Sequence, residues 1–174
     1  MKALVIVDVQ QGMFTMPQKL YRGEETVERL GDVLRRARRN DVPVFHIRHE
    51  EPNGFERDAP GWFHHPVVAP REGETIIDKR RSSAFHDTDF HARLQAAGVD
   101  HLVICGAQTQ YCVESTIRNA VTLGYRLTAI EDGHTTFDTE ILTAPQIIAY
   151  HHMIWGGRFA ELRKADDIRF GREA

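Results

Sequence analysis

Apolar residues fall along this chain in short blocks separated by longer amphipathic stretches. The blocks Ala3–Val7, Val42–Ile47, Thr75–Ile77, His101–Cys105 and Arg126–Ile130 read as strands, with a weaker sixth at Arg158–Leu162. Between most of them the period changes from strand to helix. Glu24–Asn40 places Val27, Leu30, Val33, Leu34 and Ala37 on one helical stripe. Asp89–Ala97 reads as a short helix with Thr88 as N-cap and Gly98 as its stop. Val113–Leu123 runs to Gly124, and Ile141–Trp155 carries Pro145 in its first turn and stops at Gly156-Gly157. Alternating strands and helices predict an α/β domain, a parallel sheet covered by helices on both faces and joined by right-handed crossovers. The stretch from His49 to Gly73 breaks the pattern with Pro52, Gly54, Pro60, Gly61, Pro66 and Pro70. It is too long for an idle connector and reads as a functional loop over a site.

The 174 residues fit one domain, 1–174, with a full hydrophobic core. A formal net charge of −3 gives no reason to expect a nucleic-acid or membrane partner. The basic run Arg35-Arg36-Ala37-Arg38-Arg39 closes a helix, where cations suit the dipole, and reads as a solvated helix end. No apolar run approaches the ~20 residues that span a bilayer, and the N-terminal block is too short for a signal peptide. Two cysteines are too few for a disulfide scaffold, so a reducing cytoplasm fits best.

Three ionisable residues stand at strand ends. Asp8 follows the first strand, and Lys79 follows Ile76-Ile77-Asp78. Cys112 lies just beyond Leu102-Val103-Ile104-Cys105, beside the first turn of the next helix. A thiolate there would be stabilised by unpaired N–H groups and the helix dipole, and it is the nucleophile that acyl transfer needs. Taken singly, each has a plainer explanation: a core cysteine, a turn-capping aspartate, a surface lysine. Ligands of open parallel sheets bind beyond the carboxyl ends of the strands, so together the three suggest nucleophile, base and orienting group.

The chain resembles the isochorismatase-like cysteine hydrolases over nearly its whole length. The resemblance rests on Val7-Asp8-Val9-Gln10 with Gly12, on Ile77-Asp78-Lys79-Arg80-Arg81-Ser82-Ser83-Ala84-Phe85, and on Gly106-Ala107-Gln108-Thr109-Gln110-Tyr111-Cys112-Val113 with Thr116 and Ala120. Gly124-Tyr125 and Glu131-Asp132-Gly133-His134-Thr135-Thr136 continue it. It implies a three-layer α/β/α, Rossmann-like fold with a mainly parallel six-stranded sheet in the order 3-2-1-4-5-6. It implies a catalytic triad of Asp8, Lys79 and Cys112. It further implies a cis peptide between Ala107 and Gln108 and an oxyanion hole from the Gln108 and Cys112 backbone N–H groups. The implied chemistry is cofactor-independent cleavage of a C–N bond in a small amide, ureide or lactam through a thioester. Vinyl-ether hydrolysis and a non-catalytic binding role are the alternatives. Relatives commonly assemble as dimers or larger.

Met13 departs from the aromatic that many relatives carry there. His46-Ile47-Arg48-His49 lacks the aspartate of the metal-binding nicotinamidases, and His64-His65 has no third ligand at suitable spacing, so no metal is expected. His134 reads as a structural residue in the turn after the fifth strand. Phe14, Arg48, His49, Trp62, Phe63, Tyr111 and Phe137 are the candidate substrate contacts, although Trp62 and Phe63 suit pinning the long loop equally well. A single glycine after the first strand, Gly12, argues against dinucleotide binding.

Overall fold

A computed structural model describes residues 1–171. Six strands form one sheet: β1 Lys2–Val7, β2 Val44–His49, β3 Thr75–Lys79, β4 His101–Ala107, β5 Arg126–Thr135 and β6 Glu161–Arg163. Their order is β3-β2-β1-β4-β5-β6 and every pairing is parallel. The helices are α1 Gln11–Thr15, α2 Gly23–Arg39, α3 Phe90–Ala96, α4 Glu114–Thr122 and α5 Ala144–Trp155.

Period-two alternation divides the sheet into two cores. Ala3, Val5 and Val7 of β1 pack with Ile47, Ile104, Phe90, Leu94, Ile117 and Trp155 on the α3–α4–α5 side. Leu4 and Ile6 pack with Val27, Leu30, Val33, Leu34 and Ala37 of α2 on the other. Adjacent residues point to opposite faces, so burial of both faces leaves β1 almost wholly apolar. Cys105 belongs to the α2 side and is buried; burial alone pushes its thiol well above the ordinary range.

Several boundaries shift for local reasons. Helix α5 begins at Ala144 because Thr143 and Gln146 form a reciprocal capping box. Ile141 therefore lies outside the helix and is 89% exposed. The N-cap of α3 is Asp89 rather than Thr88, whose hydroxyl donates to the Ala84 carbonyl instead. β4 and β5 extend past their apolar blocks to Ala107 and Thr135, so His134 stands within a strand and not in a turn after it. α1 and the π-helical turn Thr109–Val113 have no apolar period to announce them.

The segment after β2 is bent by two 3₁₀ turns, Pro60–Trp62 and Pro66–Val68. It returns to the β1 end through a Gln10–His64 bridge and a His65 N–H bond to the Val9 carbonyl. The loop is thus fastened beside the carboxyl edge of the sheet.

Candidate active site

The switch in strand order lies between β1 and β4, where crossovers leave in opposite directions and open a crevice. Asp8 ends β1 in a left-handed conformation, φ 50°, which aspartate tolerates better than most residues. β4 delivers the other wall. Gly106, at φ 123°, lets β4 run against Val7: a Cβ at this position would sit 2.0 Å from the Val7 carbonyl oxygen. The Ala107–Gln108 peptide bond that follows is cis. The π-helical turn then carries Cys112 into α4. Thr109 opens this turn, and its hydroxyl bonds His134 Nδ1 at 2.8 Å, while His134 Nε2 meets His152 Nε2 at 2.9 Å. Burial lowers the His134 pKa to about 3, so this ring is a neutral strut under the turn.

Lys79 arrives from β3. β2 stands between β3 and β1, and neighbouring strands lie about 4.8 Å apart, so only a long side chain can cross. The lysine stem does so. Its Nζ is 2.6 Å from Asp8 Oδ2, 3.2 Å from Cys112 Sγ and 3.0 Å from His49 Nδ1. Neither Lys79 nor Asp8 has side-chain surface open to solvent. Burial opposes the lysine's charge, but Asp8 and Cys112 outweigh it and raise its pKa, so the ammonium persists. Burial and the Asp8 charge push the Cys112 thiol up, and Lys79 offsets this only in part. At rest Cys112 is therefore a thiol held beside a carboxylate and an ammonium. Helix-end stabilisation of a free thiolate, expected from the sequence, does not prevail here, because the sulfur is mostly enclosed and faces an anion.

Asp8, His49 and Cys112 are also the one set among the described residues whose ligating atoms converge, all within 4.8 Å of one another. The Lys79 ammonium already occupies their centre, so these donors do not fit a metal ion.

The site opens into a cavity of about 290 Å³ lined by Asp8, Gln10, Met13, His49, Glu51, Phe55, Ser82, Gln108, Tyr111 and Cys112. Of the seven candidate substrate contacts, His49 and Tyr111 line it. The other five are elsewhere. Phe14 packs on His65 and lines a separate small void with Val9 and Leu20. Arg48 is paired with Asp78 at 2.7 and 3.1 Å and stacks on Trp62, 3.3 Å from the ring centroid. Trp62 is buried beneath it, Phe63 packs on Trp62, and Phe137 is buried outside the cavity. Phe14, Arg48, Trp62 and Phe63 fasten the loop instead of meeting the cavity. Gln10 was not singled out by the sequence reading as a site residue. Its buried amide donates to the His49 and Trp62 carbonyls, both at 2.9 Å, and accepts from the His49 N–H at 2.9 Å. A second polar residue two positions after Asp8 in the first motif was the available signal.

Residues 2–153 match the Isochorismatase domain family, and the chain belongs to that family. Over 169 residues it is 32% identical to a streptothricin hydrolase from Streptomyces noursei, covering 96% of this chain and 60% of that one. The chain thus spans less than two thirds of that relative's length. It is 32% identical over 108 residues to the ureidoacrylate amidohydrolase RutB from Azorhizobium caulinodans, covering 60% of this chain and 48% of that one. An isochorismatase crystal structure from Pseudomonas putida superposes with a TM-score of 0.91 at 31% identity, covering 97% of this chain and 90% of that one.

Proposed function

We propose that the protein is a cysteine hydrolase that cleaves a C–N bond in a small non-peptide amide, ureide or lactam. One observation carries this reading: a buried ammonium stands 2.6 Å from a carboxylate and 3.2 Å from a thiol at the floor of an open cavity. Relatives named for hydrolysis of streptothricin and of ureidoacrylate support the substrate class.

In the proposed reaction Asp8 takes the thiol proton as the sulfur attacks the carbonyl carbon. Neutralising Asp8 removes the charge that opposes the thiolate and leaves Lys79⁺ beside it. The backbone N–H groups of Gln108 and Cys112 hold the oxyanion. The tetrahedral adduct collapses, the C–N bond breaks and the amine leaves with the proton from Asp8. Asp8 then deprotonates water, which attacks the thioester. The C–S bond breaks, the acid departs and Cys112 regains its proton. His49 and Tyr111 serve as substrate contacts at the cavity wall.

The need for a free thiol, and two unpaired cysteines, support a reducing cytoplasmic setting. Among the described residues no helix is long and apolar enough to cross a membrane. Tyr150 and Met153 of α5, 53% and 68% exposed, support self-association through that helix.

A panel of small amides, ureides and lactams assayed for released amine or ammonia tests the reading. Hydrolysis of at least one class by the wild type, with loss of about 10³-fold or more in Cys112→Ala, is expected. Equal turnover by Cys112→Ala would overturn it.

A further inference from the structure

We propose that His49 is a positioning residue, the third acceptor that fixes the Lys79 ammonium between Asp8 and Cys112; the inference rests on the hydrolase reading of the site. Lys79 and His49 are register partners at the ends of β3 and β2. The lysine must pass the end of β2 to reach β1, and His49 is the residue it passes. An ammonium has three N–H bonds and no lone pair. Here Nζ makes three close contacts: an ion pair with Asp8 at 2.6 Å and hydrogen bonds with His49 Nδ1 at 3.0 Å and Cys112 Sγ at 3.2 Å. No solvent reaches the lysine side chain to replace a lost partner, so an unpaired N–H would carry its full desolvation penalty.

The contact also fixes the imidazole. Because Nζ can only donate, Nδ1 must accept, and the ring proton sits on Nε2. Nε2 points to Glu51 Oε2 at 3.4 Å, and both residues line the cavity. Backbone bonds hold His49 in place at both its N–H and its carbonyl, through Gln10. The groups that face the ring are the charges of Lys79 from β3, Asp8 from the end of β1 and Glu51 from the loop, and the Cys112 thiol from the π-helical turn. Beyond them, an outer groove carries Arg57, Arg80, Arg81 and His86 against Glu50, Asp78 and Asp87. Loss of the Nδ1 acceptor therefore loosens the lysine and slows activation of the sulfur.

The test is the rate of Cys112 alkylation by iodoacetamide against pH, mapped by peptide mass to separate it from Cys105. Wild type, His49→Ala, His49→Asn and Lys79→Met are compared, with thermal melts of each. Asparagine offers Oδ1 near the Nδ1 position. His49→Ala should slow alkylation about tenfold at neutral pH. His49→Asn should recover most of the rate. If Lys79→Met slows the reaction but both His49 variants keep the wild-type rate, the positioning role is overturned and the hydrolase reading stands. If His49→Asn melts like wild type yet is as slow as His49→Ala, acceptance at Nδ1 is not the role and the inference fails. If Lys79→Met also alkylates as wild type, the site reading itself fails.

Discussion

Lys79 carries more of the site than any other side chain, since it neutralises Asp8, touches the sulfur and plugs the space where a metal would sit. Removing it leaves a fully buried carboxylate with no counter-ion. Lys79→Met should abolish turnover and destabilise the fold by about 3–5 kcal/mol, and adding Asp8→Asn should restore much of the stability, as denaturant melts would reveal. The raised lysine pKa fixes the sign of the alkaline response. Its contribution is complete below the ordinary value of 10.5 and is lost as pH climbs through the folded value, so the wild type should weaken above that pH more steeply than the double variant. At this scale the convergence of Asp8, Lys79 and Cys112 was legible because each stands at or just beyond the end of a separate apolar block. The cavity wall was not: a loop's path decides where an aromatic points, and sequence spacing carries no record of it. Trp62 and Phe63 took the loop-pinning role, and Arg48 was absorbed by Asp78 and Trp62.

Two features set the elements in place. Gln10 ties the end of β2 to the Pro60–Trp62 turn through three backbone bonds made by one buried amide. Gln10→Ala leaves those groups without partners. It should cost about 2–3 kcal/mol and make the 50–60 segment more readily cut by protease, which a melt and a timed digestion would measure. Gly106→Ala should be worse, because its Cβ would collide with the Val7 backbone where β1 meets β4. Little folded protein is expected from that variant, and a yield and melting temperature matching wild type would contradict the packing described here. Glu74, at the start of the β3 approach, shows the acid counterpart. Burial works against its charge, yet Arg38, the Arg71 N–H and His46 hold its pKa down to about 2. Its stabilisation is present above the ordinary 4.5 and disappears as pH falls toward about 2, so Glu74→Gln should flatten the acid limb of the stability curve. Strands and long helices were legible because their periods are sustained. α1 and the π-helical turn were not, since five residues carry no period and the turn's geometry depends on what packs beneath it.

At the scale of the whole molecule, strand order decides which side chains meet. Asp8 and Cys112 meet because β1 and β4 flank the switch, and Lys79 meets both because its stem is long enough to cross β2. Alternating blocks disclosed the parallel sheet, whereas the order of its strands followed from family resemblance, because periodicity alone does not rank strands. The substrate class is least legible, since the cavity is walled by residues from β2, the long loop, α1 and the π-helical turn together. The central claim is that Cys112 becomes covalently acylated. Rapid quenching of the enzyme during turnover of the best amide found, followed by intact-mass and peptide mapping, addresses it directly. The account predicts an acyl adduct on the peptide bearing Cys112, formed and lost at rates that match turnover and absent from Cys112→Ala. Steady hydrolysis with that sulfur unmodified at every quench time, or with the adduct on Cys105, would contradict it.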